Sequence, residues 1–502
     1  MFRNFFSTVK ESTLGEDSFL FPSFLAFLLL LFYVLTHLFA MVAFVAGLTT
    51  FWFVIPVAFA SGVAVTEFMA RKFALPKRTR WYLIAAQLLT VAVSVLLAGA
   101  LYDMSWDGLW YHQTAIYQMA HSWNPVYDPL HTFEWHLQDW VRHYAKGPWY
   151  FALGIHAISG NIEFAKAAPW MMLAASFLAV YSVALQYNLS KSKSMIIAFF
   201  VSCNPVVIFE LASFLVDGLL ISFLAIFVAS VLSYLKKPTL LNIVLIVLSI
   251  IALINAKLTG LVYLGFAASG FGLYFILFDR KATLRYASII IVGILIGITL
   301  FGYNPYITNF MHRGNPFYPI LGSAEFPSHA DQGEDAIEKW ETPGNMVGQS
   351  RFVRLGYAIF GRPGAQPFHP GKDAVLMLPL TVGIDDFAMY YFHDVRISGF
   401  GPLFSGILLL SLILLVLLYK KPNIPWKLIL FFWAFIVVSL LISTHTWWAR
   451  YGPQMWWLPL VVLIASFYVT DSKVVVWLRN TIIALLFINV IPIALVHYNW
   501  EI

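Results

Sequence analysis

The residues best suited to chemistry lie in one short stretch, Tyr102-Asp103-Met104-Ser105-Trp106-Asp107-Gly108-Leu109-Trp110-Tyr111-His112. Two carboxylates, Asp103 and Asp107, stand there among large aromatic side chains. Partial loss of water makes a carboxylate a stronger base. A base beside a hydroxyl can take its proton as that hydroxyl attacks. The ordinary alternative is that Asp103 caps a helix and Asp107 is a solvated surface acid.

Basic side chains that could bind a phosphate form a second group. Lys257 and Arg450 each lie in a short turn between apolar stretches. Arginine offers a planar fork that matches phosphate oxygens, and lysine offers a point charge. Trp448 and Tyr451, beside Arg450, offer aromatic faces on which an apolar chain or a ring could pack. The alternative is that both basic side chains reach out to lipid headgroups.

A third acid, Asp217, opens an apolar stretch. It could orient a bound substrate or pair with Lys257. The alternative is that it caps a helix in interfacial water. Four further arginines, which the sequence does not rank as phosphate ligands, are Arg313, Arg351, Arg354 and Arg396.

The composition predicts that these residues are positioned by membrane helices. The 502 residues are 60% hydrophobic and 11% charged, whereas soluble domains have about 45–50% apolar and about 25% charged residues. The one cysteine excludes an intrachain disulfide and a cysteine-built metal centre. Neither a Walker loop nor a dinucleotide-binding fingerprint is present, so no cytoplasmic nucleotide site is indicated.

Apolar stretches of about the length that crosses a bilayer recur along the whole chain. They predict an all-α polytopic membrane protein with about 13 transmembrane helices, at 19–45, 48–69, 81–101, 166–187, 194–214, 216–235, 239–255, 258–278, 286–303, 402–419, 428–446, 453–470 and 480–497. With a cytoplasmic N-terminus, every short basic loop falls on the cytoplasmic side, as the positive-inside rule requires. The net charge of +6 therefore indicates orientation, and no nucleic-acid partner is expected.

Two long segments interrupt the helices, and both are predicted to lie outside the membrane on the far side from the cytoplasm. The predicted organisation is two additional helices (1–80), a core (81–303) with a first outer loop (102–165), a second outer loop (304–401) and C-terminal helices (402–502). Both loops are expected to contain short interfacial helices, one of them over residues 133–144.

The sequence resembles the bacterial membrane glycosyltransferases of the GT-C superfamily, whose relatives include protein O-mannosyltransferases and the aminoarabinose transferase of lipid A. The resemblance covers most of residues 81–470. Its motifs, in shared order, are Asp107-Gly-Leu-Trp-Tyr-His112, Phe214-Leu-Val-Asp-Gly218, Lys257-Leu-Thr-Gly260, Asn304-Pro305 through Gly314-Asn-Pro-Phe-Tyr-Pro319, Ser398-Gly-Phe-Gly-Pro-Leu-Phe404 and Arg450-Tyr-Gly-Pro453.

The resemblance implies an inverting glycosyltransferase that moves a sugar from a polyprenyl-phosphate carrier to an acceptor hydroxyl. Better-known members carry an Asp-Glu pair in the first loop, which is absent here. The acid of the family therefore carries over to Asp107 by its Tyr111-His112 context, with Asp103 as second choice. Arg450 and Lys257 would bind the donor phosphate. The expected substrate contacts are Tyr111, His112, Asp217, Trp448 and Tyr451. The acceptor could be a lipid, a glycan or a protein.

No cofactor is expected, although a divalent metal would be compatible, since some relatives use one. The expected location is the bacterial inner membrane. Two alternatives stay open at this stage. One is a polymerase or ligase of lipid-linked oligosaccharides with a pyrophosphate-linked donor. The other is a lipid or sugar transporter, which repeated halves and midplane charges would favour; the sequence shows neither.

Overall fold

The computed structural model describes residues 17–128, 138, 141–327, 338, 340–364, 372–419, 421, 424, 426–443 and 445–501. Of these residues, 74% are helical. Their extended pairing is limited to two isolated β-bridges, Gly361 with Leu376 and Gly364 with Ile397. Within a bilayer the backbone must satisfy its own hydrogen bonds, which a helix does. The prediction of an all-α membrane protein is confirmed over the described chain.

The α-helices of the described residues are named here in chain order. The first ten are α1 (Asp17–Val45), α2 (Val54–Lys72), α3 (Lys77–Gly99), α4 (Gln113–Ala120), α5 (Gly147–Ser159), α6 (Ala167–Gln186), α7 (Lys191–Ser202), α8 (Pro205–Glu210), α9 (Asp217–Lys236) and α10 (Leu240–Ala256). The others are α11 (Thr259–Phe278), α12 (Arg280–Ile296), α13 (Thr308–Arg313), α14 (Arg351–Phe360), α15 (Ile384–Ala388), α16 (Phe404–Leu418), α17 (Trp426–Ile442), α18 (Trp457–Ser466) and α19 (Lys473–Glu501).

Eight helical stretches among the described residues are long and apolar enough to cross a membrane. They contain α1, α2, α3, α6, α9, α11, α12 and α19. Four shorter apolar helices, α10, α16, α17 and α18, lie where the sequence predicts further spans. Each of the thirteen predicted stretches thus contains helix, and the count of thirteen spans stays a prediction.

The fifth predicted stretch, 194–214, is not one continuous helix, because α7 ends at Ser202 and α8 begins at Pro205. Proline cannot donate a backbone hydrogen bond and disfavours a helical residue before it. The preceding Asn204 instead donates from Nδ2 to the carbonyl of Pro453 at 2.8 Å and accepts from the backbone N–H of Val206 at 3.0 Å. Neither helix alone has the roughly 20 residues of a span.

The chain divides into two compact units. The N-terminal unit comprises Leu14–Gln186 and Leu211–Glu334, and the C-terminal unit combines Tyr187–Glu210 with Asp335–Ile502. Among the predicted site residues, the first-loop motif, Asp217 and Lys257 belong to the N-terminal unit. Trp448, Arg450 and Tyr451 belong to the C-terminal unit.

Helix α1 lies at the centre of the N-terminal unit. It packs against α2, α3, α5, α6 and α10, and its Phe24, Phe27 and Phe32 side chains are buried. The imidazole Nε2 of His37 hydrogen-bonds to the carbonyl of Phe301 at 2.9 Å. Helix α1 therefore belongs to the packed core of this unit, and the prediction that residues 1–80 are additional to the shared core of the superfamily stays a prediction.

One end of the N-terminal unit, called the loop end, gathers the chain segments that follow α1, α3 and α12. Asn124 donates from Nδ2 to the carbonyl of Phe44, near the end of α1, at 2.9 Å. Asn304, which follows α12, donates to the carbonyl of Pro125 at 2.8 Å. The first loop and the entry to the second loop are therefore joined by direct hydrogen bonds.

Basic residues mark the opposite end of this unit. Because α3 ends and α9 begins at the loop end, Lys77 and Lys236, at their other termini, lie at the far end. Arg71 in the last turn of α2 pairs with Glu67 at 2.9 Å. The acidic loop motif and the basic connections thus lie at opposite ends of this unit, and the sequence predicts that the short basic loops share one side of the membrane.

Buried polar contacts also organise the C-terminal unit. Trp456 donates from Nε1 to the carbonyl of Phe200 at 2.6 Å. The Asn489 amide accepts from the N–H of Leu403 at 3.0 Å and donates to the carbonyl of Phe400 at 2.8 Å. A separate buried cluster in this unit consists of Met346, Ala374, Ile397, Trp447 and Trp448.

Short helices occur in both predicted outer loops, namely α4 and α5 in the first and α13, α14 and α15 in the second. The interfacial helix predicted over 133–144 lies mostly outside the described residues. Of that range, the structure describes 138 and 141–144.

Candidate functional site

A buried lysine fixes the chain where it leaves α3. The side chain of Lys166 is fully buried, and its Nζ donates to the carbonyl of Leu101 at 2.6 Å and pairs with Glu163. The Glu163 carboxylate accepts a hydrogen bond from the backbone N–H of Asp103 at 3.2 Å. Buried charges are tolerated when they are paired and hydrogen-bonded. This pair therefore determines where the first-loop motif begins.

Asp103 joins the first loop to the start of α9. Its side chain is 2% exposed. Oδ1 accepts from the N–H of Ser105 at 2.8 Å, and Oδ2 accepts from the N–H of Phe214 at 2.9 Å. Phe214 is three residues before Asp217. Because both carboxylate oxygens accept backbone N–H groups, Asp103 is better suited to positioning the loop than to taking a proton.

Gly108 opens a π-helical turn, Gly108–His112, directly after Asp107. A Cβ on Gly108 would overlap Oδ2 of Asp103 and Oγ of Ser105, so a larger residue there would displace these side chains. His112 ends this turn, and π-helical turns are frequent at functional sites. Asp107 itself is half-buried.

His112 is buried against three aromatic rings. The Trp149 indole donates from Nε1 to Nδ1 of His112 at 2.7 Å. The ring of Tyr111 lies 4.2 Å from that of His112, and the ring of Tyr144 lies 5.5 Å away at a right angle. The predicted substrate contacts Tyr111 and His112 thus adjoin one another on the π turn.

Large apolar side chains around this motif are exposed. Trp106 is 60% exposed, and its ring lies 6.0 Å from that of Trp110, which is also exposed. Aromatic residues with this exposure are typical of a membrane–water interface. The other exposed side chains of the motif are Tyr102, Met104 and Leu109.

Asp217 and Lys257 form a buried ion pair at the loop end. Lys257 Nζ donates to Oδ1 and Oδ2 of Asp217 at 2.8 and 3.1 Å. The Asp217 side chain is 3% exposed and that of Lys257 is 17% exposed. Asp217 is the first residue of α9, and Lys257 lies in the break between α10 and α11. The pairing that the sequence raised as one role for Asp217 is therefore present.

The pKa values of two other side chains in the first loop, His143 and Lys146, are strongly lowered. Burial lowers the pKa of His143 to about 3, and nearby positive charges lower it further. The hydrogen bond from its Nδ1 to Oδ1 of Asn309, at 2.5 Å, acts in the opposite direction and raises the pKa. Lys146 is completely buried and donates to the carbonyls of Arg142 and Tyr144 at 2.8 and 3.0 Å. Burial, and secondly the Arg142 charge, holds the pKa of Lys146 well below its ordinary value.

In the C-terminal unit, Arg450 lies in the short turn Ala449–Tyr451 and is 8% exposed. Its guanidinium carbon is 4.4 Å from the centre of the Trp448 ring and 5.3 Å from that of Tyr451. The three residues that the sequence groups here are thus in contact. Stacking on aromatic rings orients a guanidinium while leaving its edge for hydrogen bonds.

A second arginine shares Trp448. The guanidinium carbon of Arg396 lies 3.9 Å from the ring centre of Trp448, and Arg396 also pairs with Glu341. Asp394 accepts from Trp448 Nε1 at 2.5 Å and lies 3.4 Å from Nε of Arg396 and 3.9 Å from Nε of Arg450. This cluster of Asp394, Arg396, Trp448 and Arg450 is called the indole–arginine cluster.

The four arginines that the sequence left unranked as phosphate ligands have different surroundings. Arg354 pairs with Glu338 at 2.6 Å, and Arg351 donates to the carbonyl of Leu441 at 3.1 Å. Arg313 lies over the rings of Tyr318 and Phe326. Arg396 alone of the four shares an aromatic ring with Arg450 in the described chain. Sequence reasoning missed Asp394 and Glu341, because no local pattern links them to a turn more than fifty residues away.

Metal binding has no visible site in the described part of the chain, where no group of three or more His, Cys, Asp or Glu side chains could hold an ion. His112 accepts a hydrogen bond on Nδ1, which occupies one of its two ring nitrogens. The described side chains therefore give no support to the divalent metal with which the resemblance would be compatible.

The predicted residues fall into two groups, one in each unit. At the loop end, Asp103 connects the motif of Asp107, Tyr111 and His112 to the segment that leads into the Asp217–Lys257 pair. In the C-terminal unit, Arg450, Trp448 and Tyr451 are joined by Arg396 and Asp394. A comparison of the chain with protein-family models, curated proteins and solved structures finds no match.

Proposed function

We propose that this protein is an integral-membrane glycosyltransferase of the GT-C type that transfers a sugar from a polyprenyl-phosphate carrier to an acceptor hydroxyl. The observation that carries the proposal is the hydrogen bond between Asp103 and the backbone of Phe214. Through it, a loop with a half-buried carboxylate adjoins the segment that bears a lysine ion pair. A base and a cation at one end of a helical unit suit an attack on a phosphate-linked carbon.

Asp107 is the proposed base. It follows a segment held by Lys166, Glu163 and Asp103, so its backbone is fixed before substrate arrives. A positioned base contributes about 10²–10⁴-fold to a rate. Asp107 would take the proton of the acceptor hydroxyl as its oxygen attacks the anomeric carbon. The bond from that carbon to the phosphate oxygen breaks in the same step, and the configuration inverts.

The departing polyprenyl phosphate carries negative charge that must be stabilised. Lys257 is the proposed ligand at the loop end of the N-terminal unit, and Arg450, in the C-terminal unit, is the second ligand that the sequence predicts. Loss of one such electrostatic contact typically costs about 10²–10³-fold in rate. Lys257 Nζ pairs with Asp217 at 2.8 Å, and Asp217 would share this ammonium with the phosphate.

The proposed location is the outer face of the bacterial inner membrane. Lipid-linked donors serve where nucleotide sugars are absent, and the sequence has no nucleotide motif. The exposed Trp106 and Trp110 suit the level of the headgroups. The basic connections at the far end of the N-terminal unit suit the cytoplasm.

Transfer of labelled sugar by the purified protein in nanodiscs tests this function. Polyprenyl phosphates that carry a labelled hexose or pentose are incubated with separate lipid, glycan and protein fractions of the cell envelope. We expect one donor to be consumed and its label to move to one fraction. The Asp107→Asn variant should lose at least 10²-fold in kcat, whereas Asp128→Asn in the same loop should match wild type.

Two results would contradict the proposal. Wild-type kcat in Asp107→Asn would remove the assigned base. Consumption of a pyrophosphate-linked oligosaccharide, with no use of monophosphate donors, would identify a polymerase or ligase instead.

A further inference from the structure

Helix α14, in the second loop, has two faces of different polarity. Arg351, Arg354 and Tyr357 follow one another at steps of three residues, which places them on one side of the helix. The residues of the other side are all apolar, namely Phe352, Val353, Leu355, Gly356, Ile359 and Phe360. The side that meets the protein therefore indicates the medium in which the other side lies.

The polar side of α14 is the one that meets the protein. Arg354 is 5% exposed and pairs with Glu338 at 2.6 Å. The phenol oxygen of Tyr357 accepts a hydrogen bond from Nδ2 of Asn345 at 3.2 Å, and Ala358 is buried. Tyr357 also packs against the buried hydrophobic cluster of the C-terminal unit. The partners of this side are thus supplied from within the unit.

The apolar side of α14 faces outward. Phe352 is 73% exposed and Val353 is also exposed, whereas Leu355 and Ile359 are half-buried. A helix on the surface of a soluble protein has the opposite arrangement, with its apolar stripe on the core and its polar side in water. The orientation of α14 therefore suits an apolar medium.

A short extended segment continues this apolar surface. The N–H of Met377 donates to the carbonyl of Phe360, the last residue of α14, at 2.8 Å. Leu376 and Leu378, on either side of Met377, are 57% and 74% exposed. The outer side of α14 and residues 375–380 are together called the apolar rim.

The apolar rim lies where two apolar helices reach the second loop. Arg351 donates from Nη1 to the carbonyl of Leu441, in the last turn of α17, at 3.1 Å. Leu380 contacts the first turn of α16, where a Cβ on Gly406 would overlap it. The exposed side chains of α16 are all apolar, namely Leu409, Ile413, Val416 and Leu417. The rim therefore adjoins helices whose outer surface suits lipid.

Both of these helices are short for a bilayer. Helix α16 has 15 residues and α17 has 17, which correspond to about 22 and about 26 Å of helix. The hydrocarbon core of a bilayer is about 30 Å thick. An apolar surface at the loop ends of α16 and α17 supplies the contact with hydrocarbon that these helices alone lack.

We propose that the apolar rim is inserted in the bilayer leaflet in which α17 ends, with α14 as a helix that enters this leaflet without crossing the membrane. The ten residues of α14 extend about 15 Å, which is half of the hydrocarbon thickness. Lipid is the occupant of the rim, because the rim continues the apolar surface of α16 at the end where that helix is too short. This inference depends neither on sugar transfer nor on which leaflet faces the cytoplasm.

Spin labels on the full-length protein test the insertion, in nanodiscs of phosphatidylethanolamine and phosphatidylglycerol. In a Cys203→Ala background, single cysteines replace Phe352 and Leu378 of the rim, Ile413 of α16 as lipid control and the exposed Asp471 as water control. Electron paramagnetic resonance measures collisions with oxygen, which concentrates in hydrocarbon, and with a water-soluble nickel chelate. We expect the ratio of oxygen to nickel accessibility at both rim positions to be about tenfold higher than at Asp471→Cys and close to that at Ile413→Cys.

Two results would overturn the insertion. A ratio at Phe352→Cys and Leu378→Cys equal to that at Asp471→Cys would show that the rim faces water. Low accessibility to both reagents would show that a second copy of the chain, or another protein, covers the rim. Because each substituted side chain is exposed, the labelled variants should elute as wild type in size-exclusion chromatography.

A photo-crosslinker identifies the occupant directly. Benzoylphenylalanine in place of Phe352 keeps an aromatic side chain, and irradiation in the same nanodiscs should add the mass of one phospholipid to the chain. The same substitution at Asp471 is the control and should give no lipid adduct. A covalent dimer formed from the Phe352 position would assign the rim to a second copy of the chain and refute the insertion in lipid.

Discussion

At the residue scale, each buried charge of the loop end has a specific partner, and the partners differ in how well the sequence reveals them. Lys257 and Asp217 are both predicted at outer ends of helices, and their ion pair follows from that placement. The partner of Asp103 is the backbone of Phe214, 111 residues away, for which no sequence pattern exists. The residue types were therefore predictable, whereas the backbone contact that holds Asp103 was not.

Gly108 gives the sharpest test of the Asp103 connection. A Gly108→Ala methyl would overlap Oδ2 of Asp103 and Oγ of Ser105, so the carboxylate must shift and its backbone hydrogen bonds weaken. We expect a loss of about 1–3 kcal/mol in stability, as for other overpacked sites, and a lower rate of sugar transfer. The measurements are thermal unfolding in detergent and the nanodisc assay.

Gly265→Ala is the matched control for this substitution. No heavy atom lies within 4 Å of a Cβ built on Gly265, and alanine is a better helix former than glycine. Its stability should equal or exceed that of wild type. A Gly108→Ala variant as stable as Gly265→Ala would show that the Asp103 connection does not hold the loop.

His143 predicts a dependence of stability on pH. Its pKa is about 3 in the folded chain, mainly because it is buried, and its ordinary value is 6.5. Because the folded pKa is the lower one, protonation favours the unfolded chain. The contribution of neutral His143 to the free energy of unfolding is complete above pH 6.5. It falls by about 1.4 kcal/mol for each unit by which the pH decreases between 6.5 and 3.

The measurement is the unfolding temperature in detergent from pH 8 to pH 5. It should fall below pH 6.5 in wild type and in the control His121→Gln, whose imidazole is exposed. His143→Gln should show a smaller decrease, because glutamine does not titrate. An identical pH profile in all three proteins would show that His143 does not ionise on unfolding in this range.

At the element scale, the positions of helices were predicted well, whereas the long-range contacts that hold their ends were not. All thirteen predicted stretches contain helix, because hydropathy reports apolar segments directly. The break at Asn204-Pro205 was visible in the sequence, but the Asn204–Pro453 hydrogen bond that stabilises it joins distant segments. Likewise, no local signal distinguishes α1, buried on most sides, from α2, whose residues are more exposed.

Truncation tests whether α1 and α2 are an addition to the core. If residues 1–76 are removed, α3, α5, α6 and α10 lose the helix against which they pack. We expect the remaining chain to aggregate or to elute as a broad peak in size-exclusion chromatography, because large apolar side chains lose their packing. A full-length Trp52→Ala variant, which changes an exposed side chain, is the control. A monodisperse, folded truncation would support the predicted boundary at residue 80.

At the scale of the whole molecule, the N-terminal unit has two chemically different ends. Its loop end holds the acidic motif, and its far end holds the basic connections that include Lys77, Lys236 and Lys281. The proposed function requires the loop end to face away from the cytoplasm. Basic residues resist translocation, so the far end should be cytoplasmic.

Site-directed labelling decides the orientation of these ends. In a Cys203→Ala background, which removes the chain's one cysteine, single cysteines replace Thr49 at the loop end and Lys77 or Lys281 at the far end, all of them exposed. A membrane-impermeant maleimide added to spheroplasts should label Thr49→Cys at once. Lys77→Cys and Lys281→Cys should react only after the membrane is permeabilised.

Because α1 ends and α2 begins near Thr49, while α2 ends and α3 begins near Lys77, these positions flank one span. Labelling of both from the same side would therefore refute α2 as a span, and reversed labelling would place the acidic motif in the cytoplasm, where the proposed donor chemistry has no role.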